Sequence, residues 1–367
     1  MLGGTYDLGT KSIIKRLVKF INVECFTAYQ IYTCRRQIKS KFLKSTDYLS
    51  PKDANETLEY WRHYGCKPKL YWHKWYSSRN GIVDKRYIPE DIFYGFIIPF
   101  YNKIEFQKAY ADKALHSIWF PNMKRPTVIA KNLSGAFYND VFTLITLEEV
   151  YKHCENKKEL IIKPTIQSGG GRDIKFISAD NDQEMKEKLA RSISYYQKDF
   201  IIQEVLEQHD TLNKINPSSI NTIRVMSFFN GNNVVVLSSV LRMGINGARI
   251  DNMSAGGISC GIHDNGHLKS VAYDKYGNIF KKHPQGFIFK EGIIPNYNDI
   301  KEVIKNEHKK FGHFRLISWD IAIEKDGYPV LIEFNLGSQE LNFHQLNNGP
   351  LFADLTDEVL NEVFNEK

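Results

Sequence analysis

Two carboxylates and one carboxamide lie on a predicted β-hairpin towards the carboxyl end of the sequence. An Asp-Gly dipeptide at 326–327 separates two apolar segments, which is a strong hairpin signal. A turn centred on it pairs Asp320 with Glu333, and Asn335 shares their face because side chains alternate along a strand. Opposed β-carbons lie about 4.5–5.5 Å apart, where two carboxylates need a cation, a proton or open water. These hard oxygen ligands suit Mg²⁺ bridged to phosphate, and a solvated hairpin face is the alternative.

The chain neighbours of these polar residues predict the surroundings of the hairpin. They are all apolar: Trp319, Ile321, Ile332 and Phe334. Because successive side chains of a strand point to opposite faces, we expect these four residues to lie in a core. A hairpin with one buried face favours the metal hypothesis over the solvated face.

A glycine-rich segment follows a predicted strand in the middle of the chain. Lys163 ends the strand 159–163, and Ser168-Gly169-Gly170-Gly171 comes soon after it. Consecutive glycines let backbone N–H groups close on an anion, and the lysine adds a point charge. The order differs from a P-loop, because the lysine precedes the glycines and a strand at 174–178 follows them. The segment is therefore predicted to close over phosphates, with a flexible hairpin as the alternative.

Two arginines lie on predicted strands among medium-sized side chains. Arg224 shares a strand face with Thr222 and Met226, and Arg242 occurs on the next strand. An arginine in such a position needs an anionic partner, either a carboxylate of the fold or a phosphate of a ligand. Both alternatives stay open for each arginine.

Covalent catalysis by a serine nucleophile would need a histidine as general base. His209, which follows a buried strand at 200–206, and His344 have polar neighbours and are candidate general bases. However, no Ser-His-acid set can be assembled, and the sequence has no nucleophile-elbow motif. Covalent catalysis is therefore not supported.

The elements that must position these residues are short strands with intervening helices. Strands are predicted at 159–163, 174–178, 200–206, 222–229, 234–241, 317–323 and 328–334. Helices are predicted near 146–156, 182–197 and 298–311. This order predicts an α+β chain with mainly antiparallel sheets, preceded by a region that is helical and rich in aromatic residues.

The net charge of the chain is concentrated at one end. The 367 residues include 49 Lys and Arg and 42 Asp and Glu, a net charge of +7. Residues 1–50 carry nine basic and three acidic side chains, so the rest of the chain is almost neutral. A body that binds nucleic acid is therefore disfavoured. No apolar stretch reaches the roughly 18 residues that span a bilayer, and the first residues lack a secretory pattern, so we expect a cytoplasmic protein.

The N-terminal region has two further features. Residues 11–22 predict a basic amphipathic helix, which either packs on its own protein or contacts the anionic inner face of the cell membrane. The aromatic residues between Tyr60 and Tyr101 show no repeat, so we expect a core rather than a ligand platform. The five cysteines are scattered, which indicates reduced, packed thiols.

In their order along the chain, these features resemble the ATP-grasp superfamily. A strand lysine, a glycine-rich loop, a Gln-Glu-Val-Leu strand end, a strand arginine and an Asp-x12-Glu-x-Asn hairpin succeed one another. The string from Asn216 to Arg224, the segment Asp251-Asn252 with Gly256-Gly257, and the aromatic N-terminal region look like the sugar-transfer-associated ATP-grasp proteins. Members of that family are linked to surface-polysaccharide synthesis. The superfamily resemblance covers about residues 110–350.

The resemblance implies roles for the residues that bind nucleotide. Lys113 and Lys163 look like the two phosphate-binding lysines, and Ser168 to Gly171 would cover the phosphates. A ribose-binding acid usually follows the adenine-binding linker, and Glu207 or Asp210 could serve. The linker implied to recognise adenine consists of Gln203, Glu204, Val205 and Leu206.

The resemblance also implies the metal ligands and the catalytic groups. Asp320, Glu333 and Asn335 match the Mg²⁺ ligands of the superfamily. Arg224 and Arg242 are similar in placement to residues that stabilise the transferring phosphoryl group or an acylphosphate. ATP and Mg²⁺ are thus the implied cofactors.

The implied architecture has three parts, with ATP held between two antiparallel sheets. Residues 1–110 form the N-terminal region, 111–205 the small ATP-grasp subdomain and 206–367 the large one. The implied enzyme joins a carboxylate to an amine through an acylphosphate, with a sugar acid or a glycan precursor as the acceptor. Candidates for binding the acceptor carboxylate are Arg172, Arg242 and Arg249. A phosphotransferase acting on a hydroxyl and a catalytically silent nucleotide-binding scaffold are the alternatives.

Overall fold

The computed structural model describes residues 27–166, 171 and 173–365. They form two compact units, one made of residues up to 100 together with those from 352 onward, and the other of Tyr101–Leu351. The predicted amphipathic helix at 11–22 lies outside the described residues. Within the described part of the chain, no helix is long and apolar enough to cross a bilayer.

The helices and strands have the following bounds. The main helices are α1 (Pro51–His63), α2 (Tyr71–Asn80), α3 (Leu147–His153), α4 (Asp182–Tyr196), α5 (Asp210–Ile215), α6 (Tyr297–His308), α7 (Leu341–Asn348) and α8 (Thr356–Phe364). Residues 27–37 are also helical. The strands are β1 (Val128–Leu133), β2 (Ala136–Tyr138), β3 (Leu144–Ile145), β4 (Glu159–Pro164), β5 (Lys175–Ser178), β6 (Phe200–Glu204), β7 (Ile223–Phe229), β8 (Val234–Met243), β9 (Ile258–Ile262), β10 (Leu268–Tyr273), β11 (Ile279–Phe280), β12 (Leu316–Ile323) and β13 (Pro329–Asn335).

Short helical turns connect these elements. Their bounds are Ile38–Phe42, Glu90–Ile92, Phe93–Ile97, Ile98–Tyr101, Ile104–Phe106, Gln107–Tyr110, Lys113–Leu115, His116–Trp119, Met253–Ala255, Phe289–Glu291 and Ala353–Leu355. Most lie between residues 90 and 119, where the pattern of the sequence is neither a clear strand nor a clear helix.

The first unit is helical and has an aromatic core, as predicted. Its fully buried side chains include Trp61, Trp72, Trp75, Tyr76 and Tyr87. Helix α8 belongs to this unit although it comes last in the chain. Its Asp357 accepts hydrogen bonds from the hydroxyls of Tyr60 (2.6 Å) and Tyr64 (2.7 Å) on α1. The aromatic residues of this segment thus pack together and anchor α8.

The second unit contains two antiparallel sheets. The six-stranded sheet has the order β3-β2-β1-β6-β4-β5, and the seven-stranded sheet has the order β11-β10-β9-β8-β7-β12-β13. Helices α3 and α4 bury Val150, Met185 and Leu189 against the first sheet. Helix α6 buries Ile300 and Ile304 against one face of the second sheet. The opposite face of that larger sheet carries the polar residues that the sequence singled out.

The prediction of α+β architecture with antiparallel sheets is confirmed. Every strand and helix predicted within the described residues is present, with ends that differ by up to three residues. The structure adds elements that were not predicted: β1, β2, β3, β9, β10, β11, α5, α7 and α8. Of these, the strands β2, β3 and β11 have only two or three residues, which is too short for a pattern of alternation to show.

Candidate active site

The β12–β13 hairpin brings the predicted carboxylates together. Asp320 pairs with Glu333, and Asn335 pairs with Ser318, so the predicted register is confirmed for this part of the hairpin. The turn itself differs from the prediction, because Glu324 and Gly327 close it with a backbone hydrogen bond of 2.8 Å. Nearer the turn the pairing is shifted by one residue. A β-bulge restores the predicted register at the carboxylates.

The bulge corrects the expectation for Ile332. The pairing passes from Ile321 opposite Leu331 to Asp320 opposite Glu333, which leaves Ile332 as the extra residue. Leu331 takes the place in the core that was predicted for Ile332. Ile332 instead lines a cavity together with Glu333. A bulge re-aims a side chain in this way, and the apolar alternation of the sequence gives no sign of it.

Asp320 is held by two arginines. Its side chain is buried, and Arg224 donates to both carboxylate oxygens, from Nε at 2.7 Å and from Nη2 at 2.6 Å. Arg242 Nη1 lies 3.6 Å from Oδ2. Burial alone would raise the pKa of Asp320, but Arg224 and Arg242, with help from the Asn335 amide, hold that pKa below its ordinary value. Asp320 therefore carries its negative charge at neutral pH.

Arg224 lies behind the carboxylate rather than at the cavity. Besides Asp320 it binds Glu340, whose backbone has a φ of 59° at the start of α7. Among the described residues that line the cavity, Arg242 is present and Arg224 is not. Of the two partners that the sequence left open for Arg224, the structure gives a carboxylate of the fold. The contact with Asp320 supports a role in orienting that carboxylate, and the catalytic role of Arg224 stays a prediction.

Arg242 has a different environment. Its Nη2 donates to Asp251 (2.9 Å), while its Nε and Nη1 make no hydrogen bond within the described part of the chain. Burial alone would lower the pKa of Arg242, but the charges of Asp251 and Asp320 keep that pKa above its ordinary value. Arg242 therefore carries a permanent positive charge in the lining of the cavity, and its Nη1 lies 3.6 Å from Asp320 and 3.7 Å from Glu340 without a hydrogen bond to either.

A cavity of about 440 Å³ lies between the two sheets, within the size range of small-molecule sites. It brings together most of the predicted site residues from both sheets. Those that line it are Lys113, Lys163, Gly171, Gln203, Glu204, Val205, Leu206, Asp210, Arg242, Asp320 and Glu333. Asn335 is one pleat beyond Glu333 and does not belong to the lining. Ser168, Gly169 and Gly170 lie outside the described residues.

The two lysines meet at one end of the cavity. Lys113 donates to Glu333 Oε1 at 2.8 Å, and its backbone N–H donates to the carbonyl of Thr165 (2.9 Å), just beyond Lys163 on β4. Lys163 is 7% exposed. Burial, and secondarily the charge of Lys113, lower the pKa of Lys163 to about 8, with Glu333 acting in the opposite direction. This arrangement is a cationic site that a bound anion would stabilise.

The linker Gln203–Leu206 also lines the cavity. Gln203 is buried, and the Glu204 carboxylate pairs with Lys157 at 2.6 Å. The carbonyl of Glu207 accepts from the backbone N–H of Lys325 (3.0 Å), so the linker is fixed to the β12–β13 turn. Glu207 and Asp210 both line the cavity, and the ribose-binding acid therefore stays open.

Neither candidate histidine is placed to act as a base. The Nδ1 of His209 accepts from the backbone N–H of Thr211 (3.1 Å) and so caps α5. His344 is fully buried beside Ser238, and burial lowers its pKa to about 3, with the charge of Arg224 contributing. Among the described residues that line the cavity there is no histidine.

Sequence reasoning missed a buried amide network under the cavity. Gln208 Nε2 donates to the carbonyls of Asn216 (3.0 Å) and Ser219 (2.8 Å), and Gln208 Oε1 accepts from the backbone N–H of Asn221 (3.0 Å). Asn221 Nδ2 in turn donates to the Asn216 carbonyl at 2.7 Å. In the sequence, the segment from Asn216 to Arg224 indicates only the family resemblance. In the structure, this network shapes the loop whose Ser219 lines the cavity.

The donor set on the hairpin fits a divalent cation. Asp320 and Glu333 are adjacent carboxylates on one face, Asn335 adds an amide oxygen, and oxygen ligands are those that Mg²⁺ prefers. No group of three or more His, Cys, Asp or Glu side chains in the described ranges could hold a metal ion. A cation at Asp320 and Glu333 must therefore also use the amide of Asn335, water or ligand oxygens.

One protein family and several solved structures are similar to this chain. A family model described as sugar-transfer associated ATP-grasp matches residues 97–361. The solved structures that are similar include biotin carboxylase from Campylobacter jejuni in complex with β,γ-ATP, at 12% identity and a TM-score of 0.42. They also include the D-alanine-D-alanine ligase from Coxiella burnetii, at 10% identity and a TM-score of 0.37. A search of curated proteins gives no match.

Both structural matches are partial. The match with the biotin carboxylase covers 68% of this chain and 45% of that one. The match with the D-alanine-D-alanine ligase covers 70% of this chain and 59% of that one. The chain thus spans less than two thirds of the length of either protein.

Proposed function

Because this chain belongs to the sugar-transfer associated ATP-grasp family, we propose that it is an ATP- and Mg²⁺-dependent ligase that joins a carboxylate to an amine. One observation carries the proposal. Two lysines, an arginine with two nitrogens that make no hydrogen bond to the described residues, a pair of carboxylates and the segment Gln203–Leu206 line one cavity. This set matches the needs of phosphoryl transfer, which are positioning and charge neutralisation rather than a nucleophile from the protein.

The proposed reaction has two steps. A substrate carboxylate attacks the γ-phosphorus of ATP, the bond to the β–γ bridging oxygen breaks, and ADP and an acylphosphate form. An amine then attacks the acyl carbon, phosphate leaves, and the amine loses a proton. Lys113 and Lys163 bind the phosphates, while Nε and Nη1 of Arg242 neutralise charge that develops on the transferring group.

The remaining residues hold the nucleotide in place. The apolar side chains of Ile161, Phe176 and Ile332 line the cavity and provide surfaces for the adenine ring. Asp320, Glu333 and Asn335 hold the metal ion, and Arg224 keeps Asp320 oriented and charged. When bound, Mg²⁺ supplies positive charge that offsets the phosphates of ATP.

We further propose that the acceptor is a sugar acid or another carboxylate precursor of a bacterial surface glycan, used in the cytoplasm. The family description supports a role next to sugar transfer. Of the three arginines considered for the acceptor carboxylate, Arg242 has two nitrogens that make no hydrogen bond in the described part of the chain, whereas Arg249 is paired with Glu159. Arg172 lies outside the described residues. Contact of residues 11–22 with the inner face of the membrane stays a prediction.

The proposed function can be tested by substrate screening. Purified protein with ATP and Mg²⁺ is incubated with panels of uronic acids and amino acids, ADP release is followed, and products are identified by mass spectrometry. ADP release that needs both a carboxylate and an amine, with amide in the product, supports the ligase. A phosphorylated product formed without amine would instead identify a phosphotransferase. Nucleotide binding without turnover on any panel would favour the scaffold.

The buried Lys163 predicts a pH dependence of ATP affinity. Its pKa of about 8 means that the ammonium form, which attracts phosphate, is lost as the pH rises through that value. We expect ATP affinity to fall over this range and ATP binding to take up protons. Titration with a fluorescent ATP analogue from pH 6.5 to 9.5 measures the first effect, and calorimetry in two buffers measures the second.

A matched variant provides the control. Lys163→Arg keeps the positive charge at all these pH values, so its affinity should be independent of pH near 8. An affinity of the unmodified protein that stays constant between pH 7 and pH 9 would contradict the prediction.

A further inference from the structure

The connection between β8 and β9 contains a segment that contacts both sheets. Residues Arg249, Ile250 and Asp251, which we call the strap, all line the cavity. Asp251 binds residues of the large sheet, and Arg249 binds residues of the small sheet. The strap is therefore a direct link between the strands on the two sides of the cavity.

At the large sheet, Asp251 is fully engaged. Its Oδ1 accepts from Arg242 Nη2 (2.9 Å), and its Oδ2 accepts from the backbone N–H and the hydroxyl of Thr222. Asp251 is buried. A charged, buried acceptor that fixes one edge of a guanidinium sets the direction of the other edge. Asp251 therefore determines where the unused Nε and Nη1 of Arg242 point.

At the small sheet, Arg249 makes a bidentate ion pair. Its Nη1 and Nη2 donate to the two carboxylate oxygens of Glu159, at 2.6 and 2.8 Å. The guanidinium also lies over the ring of Phe176, 3.8 Å from the ring centre. Glu159 and Lys163 are on the same strand, β4, and on the same face of it, about 13 Å apart at the usual rise per residue. The strap thus connects the strand that carries Lys163 with the strand that carries Arg242.

Two glycines allow the strap to lie this close to the large sheet. A β-carbon at Gly257 would be 2.5 Å from the carbonyl oxygen of Asp251 and 2.9 Å from that of Met243. A β-carbon at Gly244 would be 2.8 Å from the carbonyl oxygen of Ile250. All three distances are too short for any other residue, so the backbone of the strap is fixed by close packing.

We propose that the strap is a latch that aligns the two phosphate-binding sides of the site, with Asp251 as the positioning residue for Arg242. The proposal rests on the proposed function. Lys163 and Arg242 lie on different sheets, and catalysis by positioning requires a fixed relation between them. The pair Arg249–Glu159 is partly exposed, with 47% and 27% of the side-chain surfaces accessible. Exposed ion pairs are weak, so the latch can open to admit nucleotide and close again.

The two ends of the latch have different kinetic signatures. Loss of the Arg249–Glu159 contact should weaken alignment of the nucleotide, so Arg249→Met and Glu159→Gln are each expected to raise the KM for ATP about fivefold. Loss of the Asp251 charge should misdirect Arg242 in the transition state, so Asp251→Asn is expected to lower kcat at least about tenfold with little change in KM. If these residues only stabilised the fold, their replacement would not raise KM at one end of the latch and lower kcat at the other.

A charge exchange and a matched control complete the experiment. The double variant Arg249→Glu with Glu159→Arg re-forms the ion pair, and its KM should return to within about twofold of the original value. Lys186→Met removes another exposed ion pair of the same unit, in which Lys186 binds Glu148 at 3.0 Å and lies over the ring of Tyr151. It should leave both constants unchanged. Thermal unfolding of every variant monitors folding. If Asp251→Asn fails to fold, the kinetics of the Arg249 and Glu159 variants alone test the latch.

The possible failures are distinguishable. An unmodified protein that neither binds nor turns over ATP contradicts the proposed function. An active unmodified protein whose KM is unchanged by Arg249→Met and Glu159→Gln, or whose KM is not restored by the charge exchange, contradicts the latch alone. An Asp251→Asn protein that folds and keeps its kcat contradicts the positioning role of Asp251.

Discussion

Replacement of Glu333 by Gln is expected to lower ATP-dependent turnover by about two orders of magnitude or more, as loss of a group that stabilises transition-state charge commonly does. Glu333 lines the cavity directly opposite Asp320 and accepts from Lys113. Glutamine keeps the shape and an acceptor oxygen for Lys113 but removes the negative charge that a divalent cation needs. The measurement is ADP release at saturating ATP over a range of Mg²⁺ concentrations, where the variant should also need more Mg²⁺.

The control for this variant lies on the same hairpin. Asp326 is an acidic residue of the turn, with about half of its side chain exposed and an ion pair to Lys124. Asp326→Asn should leave turnover and the dependence on Mg²⁺ unchanged. Turnover of Glu333→Gln equal to that of the unmodified protein would remove the hairpin from the proposed site.

Replacement of Asp320 by Ala is expected to cost about 3–5 kcal/mol of unfolding free energy, the usual result of breaking a buried ion pair on one side. The reason is that Arg224 loses the bidentate partner of its guanidinium and Arg242 loses a nearby carboxylate. Both arginines are almost completely buried, so water does not replace the lost charge. Urea unfolding without nucleotide measures the effect independently of catalysis.

An exposed ion pair provides the comparison for this effect. Glu148→Ala breaks a contact with Lys186 that is largely accessible to solvent, and should change stability by less than about 1 kcal/mol. If Asp320→Ala were equally mild, the arginines would not depend on this carboxylate. The pKa of Asp320 is lower in the folded protein than in the unfolded one, so its stabilisation should be present at neutral pH and decline on acidification through the folded pKa.

The hairpin illustrates how far the sequence could predict the site. The pairing of Asp320 with Glu333 followed from strand periodicity and a turn at 326–327, and it is correct. The turn is longer than predicted, and the bulge at Ile332 offsets that difference. A bulge depends on packing across the sheet, which a single sequence does not encode as a pattern. The side of the strand on which Ile332 lies therefore could not be predicted.

Arg224 and Arg242 show a second limit of prediction from the sequence. Their sequence surroundings are alike, and for each of them the sequence allows either a carboxylate of the fold or a ligand phosphate as the partner. The structure separates them, since Arg224 donates hydrogen bonds to Asp320 and Glu340, whereas Arg242 donates to Asp251, lines the cavity and lies 3.6 Å and 3.7 Å from the same two carboxylates. Glu340 is 116 residues from Arg224, and Asp251 is nine residues beyond Arg242, in the connection that follows β8. Neither contact follows from the spacing of residues along a strand, because each carboxylate lies outside the strands and is brought to its arginine by the fold.

The placement of α8 has a consequence for how the protein is synthesised. Helix α8 belongs to the helical unit whose aromatic core is made from residues before 100, although 251 residues of the other unit lie between them in the chain. At about 5–20 residues per second, the ribosome needs on the order of 10–50 s to make that intervening stretch. Until then Tyr60 and Tyr64 have no Asp357 to bind. The helical unit can therefore acquire α8 only after the whole of the intervening unit has been made.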